Sequence, residues 1–269
     1  MSRPSIAIFG GNGFLGLALV RHGVKRGYDV LAISRRGEPP AGIEAQPWAS
    51  SVQWLKGNIF EPTTYADKLK GVDTVVHSIG LLFEDPRYKK IANSNLKLVD
   101  DIAQTISWAA LKGSNPMDRS YYHTYEAVQR DLAVVLADTF VKANPDKGHT
   151  MVYISADSQP PLVPLDYITT KREAEFELLN KPDLRAILMR PGFMYDAHSH
   201  HFANRDIVKG VLQIGYSIKD CLFGNKIKAL NNAIKPPVLT DQVAEAMYAK
   251  IELGTLGVVP LDEIKKFKA

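Results

Sequence analysis

Tyr167 and Lys171 stand four residues apart in Tyr167-Ile-Thr-Thr-Lys171, a spacing that puts both side chains on one face of a helix and within reach of one ligand. An ammonium beside a phenol favours the phenolate, so Lys171 is expected to draw the Tyr167 pKa down from its usual value of about 10 toward neutrality. A phenol tuned in this way is a general acid or base toward a carbonyl or an alcohol, typically worth about 10²–10⁴ in rate. Ser155, at a strand end shortly before, is expected to hydrogen-bond the same substrate oxygen. Alone, such a Tyr/Lys pair is common and usually marks a solvated helix face. Its setting, after a strand-end serine and downstream of a glycine-rich turn, is what points to chemistry.

That turn is Gly10-Gly11-Asn12-Gly13-Phe14-Leu15-Gly16, directly after the apolar run Ile6-Ala7-Ile8-Phe9. Strand, glycine turn and helix in this order form a phosphate cradle: the turn is tight, the backbone approaches a pyrophosphate closely, and helix packs hard on strand. The helix N-terminus then offers free N–H groups and the positive end of its dipole. A dinucleotide is therefore the expected ligand. At the end of the second strand, where an acid would bind the ribose hydroxyls of NAD, the chain reads Ser34-Arg35-Arg36. Guanidinium groups fork onto phosphate oxygens, so NADP(H) is the expected form.

To bring these residues together the chain must fold as alternating strands and helices. Apolar runs read as strands at Ile6–Phe9, Val30–Ile33, Val52–Leu55, Thr74–His77, Met151–Ser155 and Ala186–Met189, and helices at Phe14–Arg26, near Tyr65–Leu69, Tyr125–Lys142 and Tyr167–Leu179. This alternation implies an α/β fold with a parallel sheet covered on both faces. Right-handed crossovers place every strand's C-terminal end along one edge, where Gly10, Ser155 and Tyr167 converge. Residues 84–120 are polar and weakly periodic and read as an insertion. From about 193 to 236, apolar residues at near-helical spacing predict a small helical lobe over the ligand edge. The tail returns to a helix after Pro237 and a closing strand at Val258-Val259. No linker interrupts the sequence, so residues 1–269 are expected to form one domain.

Composition narrows the function. A net charge of +4 over 269 residues is too small and too dispersed to argue for nucleic acid. No apolar stretch is long enough to span a bilayer. The single cysteine, Cys221, excludes an internal disulfide. The cluster His198, His200 and His201 lacks a matched distant ligand, so no metal is expected. From Met1 to Tyr28 there are Arg3, Arg21, His22, Lys25 and Arg26 and no acid. Mitochondrial import segments share that bias, although the first strand starts too early for a removable presequence, and a helix that happens to be basic explains it equally well. Lys209, Lys219, Lys226, Lys228 and Lys235 beside the apolar stripe of the lobe would suit peripheral contact with anionic lipid; an ordinary amphipathic cover is the plainer alternative.

These motifs together resemble the short-chain dehydrogenase/reductase superfamily, in its extended and atypical branches, over nearly the whole chain. The resemblance rests on Gly10-x-x-Gly13-x-x-Gly16, Ser155, Tyr167-x-x-x-Lys171, Arg190-Pro191-Gly192 and Pro237-Val238 before Asp241-Gln-Val-Ala. Longer blocks are similar to fungal mitochondrial members that act in coenzyme Q biosynthesis, themselves related to the nucleotide-binding accessory subunit of respiratory complex I. They are Val76-His-Ser-Ile-Gly, Leu136-Ala-Asp-Thr-Phe, Tyr153-Ile-Ser-Ala-Asp, Tyr167-Ile-x-x-Lys-Arg-Glu-Ala-Glu and Arg190-Pro-Gly-Phe-Met.

The resemblance implies a Rossmann-like doubly wound sheet with a small C-terminal helical lobe. It also implies a mitochondrial matrix location, association with the proteins of the Q-synthesis complex, and a prenylated aromatic or quinone as substrate. Lys171 would bind the nicotinamide ribose, and the backbone of Pro191, Gly192 and Phe193 would face the nicotinamide. Relatives often carry an aspartate after the third strand to contact adenine; here Asn58, in Gly57-Asn58-Ile59, still offers an amide donor and acceptor. His77-Ser78-Ile79-Gly80 departs from the usual small polar turn, yet Gly80 still lets a cofactor pass close to the backbone. Relatives of the complex I type hold a nucleotide without turnover, so a catalytically silent assembly subunit stands as the alternative.

Overall fold

Strands buried on both faces carry apolar residues without alternation, and this chain obeys that rule along its central strands. The computed structural model describes residues 3–81, 124–146, 148–159, 163–196 and 237–268. Strands β1 (Ser5–Phe9), β2 (Asp29–Ser34), β3 (Val52–Lys56), β4 (Thr74–His77), β5 (His149–Ile154), β6 (Leu184–Met189) and β9 (Gly257–Val259) form one seven-stranded sheet. All its pairings are parallel, in the order β3-β2-β1-β4-β5-β6-β9. The order reverses between β1 and β4, and that crevice is where ligands bind in open α/β sheets.

Successive side chains point to opposite faces, so each strand feeds two cores. Ile6 and Ile8 of β1 pack with Leu19 of α1 (Phe14–Lys25) on one face. Val243 and Met247 of α4 (Thr240–Glu252) and Leu261 of α5 (Leu261–Ile264) complete that layer. Ala7 and Phe9 pack on the other face with Leu136 and Phe140 of α2 (Leu132–Ala143) and with Ala174 and Leu178 of α3 (Asp166–Leu179). Both layers are continuous, giving the expected doubly wound architecture.

Three expected elements differ in detail. The helix foreseen over Tyr125–Lys142 opens with a π-helical stretch, Glu126–Asp131, before α2 begins. The widened turn is held from both sides: the Tyr153 hydroxyl donates to the Gln129 carbonyl at 2.8 Å, and Gln129 Nε2 donates to the Leu81 carbonyl at 3.1 Å. The short helix near Tyr65 is a 3₁₀ turn, Ala66–Leu69. The start of the expected helical lobe is a strand, β7 (Met194–Tyr195), which pairs in parallel with β8 (Val238–Leu239). The polar insertion, the rest of that lobe with its lysines, Cys221 and the His198–His201 cluster lie outside the described residues. Among the described residues no helix is long and apolar enough to cross a membrane.

The basic bias of the first helix has a partner inside the fold. Arg21 pairs with Asp241, Arg26 with Glu245 and Glu252, and the buried His22 ring lies between Asp241 at 3.2 Å and Glu245 at 3.3 Å. The basic face of α1 therefore meets the acidic face of α4. Burial alone would raise the Asp241 pKa, but His22 and Arg21 hold it down to about 2, against an ordinary 3.8. A carboxylate depressed in this way contributes stability above pH 3.8, and the contribution is lost as pH falls through about 2. Asp241→Asn is expected to cost about 2 kcal/mol at pH 7, the typical worth of hydrogen bonds to a charged group. In denaturant melts the gap between variant and parent should close on acidification toward pH 2; a gap constant with pH would remove the electrostatic account.

Candidate nucleotide-binding and catalytic site

Gly10 follows β1 with φ of +88°, a conformation that L side chains rarely adopt. A Cβ there would also lie 2.9 Å from Ser78 Oγ, because the end of β4 closes against the turn. Ser78 seals that closure by donating both its amide, at 3.0 Å, and its hydroxyl, at 2.7 Å, to the Phe9 carbonyl. A Cβ on Gly11 would fall 2.8 Å from Ala32 Cβ, and one on Gly16 would fall 2.0 Å from the Gly10 carbonyl oxygen. Gly13 differs: a Cβ there would meet only that oxygen, at 3.0 Å. Its outer face is open. No side chain caps the N-terminus of α1 behind it, and no acid stands in the first turn formed by Phe14, Leu15 and Gly16. Asn12 Nδ2 donates to the Glu38 carbonyl at 2.5 Å, tying the turn to the loop after β2. These residues fit a pyrophosphate, since the backbone is bare where an anion would approach and the helix dipole faces it.

Beyond the turn, a cleft of about 540 Å³ opens at the ends of β2 and β3, lined by Arg35, Lys56, Asn58, Glu61, Thr64 and Lys68. Ser34 Oγ accepts the Gly37 amide at 3.1 Å, so the turn after β2 is fixed and Arg35 is set at the cleft wall. Arg36 is exposed beside it. Lys56 went unforeseen, although it sits in register with Ser34 on the neighbouring strand, and comparing the two strand ends would have found it. The Asn58 side chain is engaged: its Nδ2 donates to Glu61 at 2.7 Å and its Oδ1 accepts the Phe60 amide at 3.3 Å. Glu61 thus presents a carboxylate where a lone amide was foreseen. Ile59 is buried beneath this loop.

On the far side of β1, α3 brings Tyr167 and Lys171 to one face. Lys171 Nζ lies 5.6 Å from the Tyr167 ring centre and 5.3 Å from that of Tyr153, and it donates to the Ile154 carbonyl at 3.0 Å. Burial pushes its pKa down to about 7, so the amine can hold or release a proton near neutrality. Gly80, at the end of β4, faces it: a Cβ there would come within 4.0 Å of Nζ. Tyr167 is half-buried and meets Tyr125 edge-on at 6.0 Å.

Ser155 lies one residue beyond β5, its amide still bonded to Met189 at 2.8 Å. Its hydroxyl oxygen accepts from Arg172 Nη1 at 3.0 Å, a contact not foreseen from sequence. Pro191 accepts the Asp157 amide at 2.9 Å, Gly192 packs on Leu261, and Phe193 is partly exposed at the rim. His77 is fully buried behind the site with its ring 5.5 Å from Tyr153. Burial, with the Lys171 charge, lowers its pKa to about 3, so the imidazole is neutral.

A parallel sheet in this order, a glycine turn at its switch point and a Tyr/Lys pair on the helix after β5 define a nicotinamide-dinucleotide oxidoreductase fold. The chain belongs to the short-chain dehydrogenase/reductase superfamily; residues 6–123 match the NAD dependent epimerase/dehydratase family. MIOREX complex component 2 of Saccharomyces cerevisiae is 38% identical over 277 residues, covering 98% of this chain and 99% of the yeast protein. Among solved structures, a 3-oxoacyl-[acyl-carrier protein] reductase from Brucella melitensis superposes with a TM-score of 0.62 at 16% identity, over 97% of this chain and 96% of its own. A Burkholderia multivorans short-chain dehydrogenase/reductase with bound NADP superposes at 0.57 with 14% identity, over 96% and 95%. At those identities the two structures speak for the fold alone.

Proposed function

We propose that this chain is an NADP(H)-dependent oxidoreductase acting on the carbonyl of a prenylated aromatic or quinone in the mitochondrial matrix, within a coenzyme Q biosynthesis assembly. The observation that carries the proposal is the pairing of Tyr167 with a buried Lys171 whose amine titrates near pH 7. The cleft cations Arg35 and Lys56 favour the 2′-phosphorylated cofactor. When bound, the nicotinamide supplies or accepts a hydride. Tyr167 gives or takes the proton at the substrate oxygen, Lys171 holds the ribose and biases the phenol, and Ser155 orients that oxygen. Membership in an assembly draws support from the yeast relative, which is named as a complex component. In this reading residues 1–269 form one domain, and Lys209, Lys219, Lys226, Lys228 and Lys235 would suit peripheral contact with the inner membrane, with an ordinary amphipathic cover as the plainer alternative.

A second reading has its own support. Lys171 Nζ and Ser155 Oγ both have partners inside the protein, as they would in a silent subunit whose nucleotide stabilises the fold.

The test follows NADPH oxidation by the purified protein with a short-chain prenylated quinone, alongside titration of both cofactors. Turnover is expected with NADPH at least about tenfold better than with NADH, and Arg35→Asp should weaken NADPH binding by at least about tenfold, 1.4 kcal/mol. NADPH binding unchanged by Arg35→Asp would remove the cofactor assignment. Tight binding without turnover would leave the silent subunit.

A further inference from the structure

We infer that Arg172 is a positioning residue that turns the Ser155 hydroxyl proton toward the substrate oxygen, so that Ser155 meets it as a hydrogen-bond donor; this rests on the oxidoreductase reading above. A serine hydroxyl has one proton and two lone pairs, so it can present itself to a carbonyl as a donor or to an alcohol as an acceptor. The structure restricts the choice. Arg172 Nη1 donates to Ser155 Oγ at 3.0 Å, and a guanidinium has no acceptor to offer in return. The lone pair on the arginine side is taken, and the hydroxyl proton must turn away from it. Ser155 is buried, so few groups compete for that proton. A charged donor also draws electron density from the oxygen and strengthens the bond that the hydroxyl itself donates.

Arg172 is held for this task by both of its terminal nitrogens. Its Nη2 donates to the carbonyls of Ala156 at 2.8 Å and Asp157 at 2.9 Å, so one side chain clamps three consecutive residues of the loop after β5. Its Nη1 also reaches Glu175 at 2.8 Å. Glu175 is buried one helical turn along α3 and is also gripped by Arg190, at the end of β6, whose Nε reaches the same oxygen at 2.9 Å and whose Nη2 holds the other. Two cations share one buried carboxylate, a geometry that fixes Arg172 without neutralising it. Because Arg172 follows Lys171 on the helix that carries Tyr167, the same element positions the phenol, the amine and, through Arg172, the serine proton.

The probe is menadione, a small quinone, bound to the NADP⁺-loaded full chain, with its carbonyl stretching frequency read by difference infrared spectroscopy. In the parent protein the stretch is expected to fall below its value in buffer. Ser155→Ala should abolish most of that fall, and Arg172→Met should do the same. Arg172→Lys should restore it, and the double variant should show no more than Ser155→Ala alone. With NADPH, Arg172→Met should lower menadione turnover by about 10- to 100-fold while the KM for NADPH stays put. Arg172→Gln, which removes the charge and offers an oxygen that can accept the serine proton, is the substitute if the methionine variant does not fold, and it should lose most of the fall as well. A folded Arg172→Met protein that keeps the full carbonyl shift overturns the inference. If instead the parent shows no shift, the oxidoreductase reading fails and takes the inference with it; a shift in the parent that Ser155→Ala leaves intact overturns the inference alone.

Discussion

A single methyl group at Gly16 is expected to abolish nucleotide binding and to destabilise the protein by about 3 kcal/mol or more, at the upper end of what overpacking does. The added Cβ of Gly16→Ala would fall 2.0 Å from the Gly10 carbonyl oxygen, 2.8 Å from its carbon and 2.9 Å from Gly11 Cα. All three are backbone atoms of a turn stitched to β2 through the Gly10 amide and the Ile33 carbonyl, at 3.0 Å. No rotamer change can relieve the clash, so α1 must lift from β1 and carry its amides away from the cradle. Thermal melting should show a fall of about 10 °C for a domain of this size. Gly13→Ala is the contrasting variant. Its methyl would meet only one oxygen at 3.0 Å and would project into the open face of the turn. It should melt within about 2 °C of the parent yet bind NADPH more than about tenfold weaker. A Gly13→Ala protein that binds NADPH normally would mean the pyrophosphate does not lie there.

The contrast between these two glycines shows what a sequence can and cannot express. The turn was legible because glycine, an apolar strand before it and an amphipathic helix after it are all local features. Both strand and helix have their expected extents to within a residue or two. The distinction between Gly16, pressed on backbone, and Gly13, open to the ligand, depends on how two segments approach in space. Likewise, β1 to β6 were readable from their apolar runs, whereas the two-residue strands β7 and β8 were not.

What escaped was interaction at a distance. The basic residues of α1, which fit an import bias and a merely basic helix equally well, are the complement of Asp241, Glu245 and Glu252, more than two hundred positions along the chain. Arg172 carried no reading of its own, because nothing local marks the two carbonyl oxygens and the hydroxyl oxygen it clamps. The π-helical stretch has no compositional signal either; Tyr153 and Leu81, distant in sequence, engage both ends of Gln129 within it. Such widened turns gather at functional sites, and this one packs beside the residues that meet Tyr167.

Tyr167 and Lys171 should part company when substituted singly, and their divergence tests the chemistry most directly. Tyr167→Phe removes one hydroxyl and keeps the ring that meets Tyr125 edge-on. It is expected to leave melting and NADPH affinity near parental values while cutting turnover by about 10²–10⁴-fold, the usual worth of a positioned proton donor. Lys171→Met should lose turnover as well, yet gain stability at neutral pH. Burial lowers the Lys171 pKa from 10.5 to about 7. Between those values the unfolded chain binds a proton that the folded protein does not, so the parent loses stability as pH falls from 10.5 to about 7 and levels off below. Methionine fills similar volume without that penalty. The variant should therefore melt above the parent at pH 7, with the advantage shrinking toward pH 10. A protein that keeps a destabilising buried amine is using it. If Lys171→Met melted no higher than the parent at any pH while turnover survived in Tyr167→Phe, the pair would be packing alone, and the proton would have to come from another group.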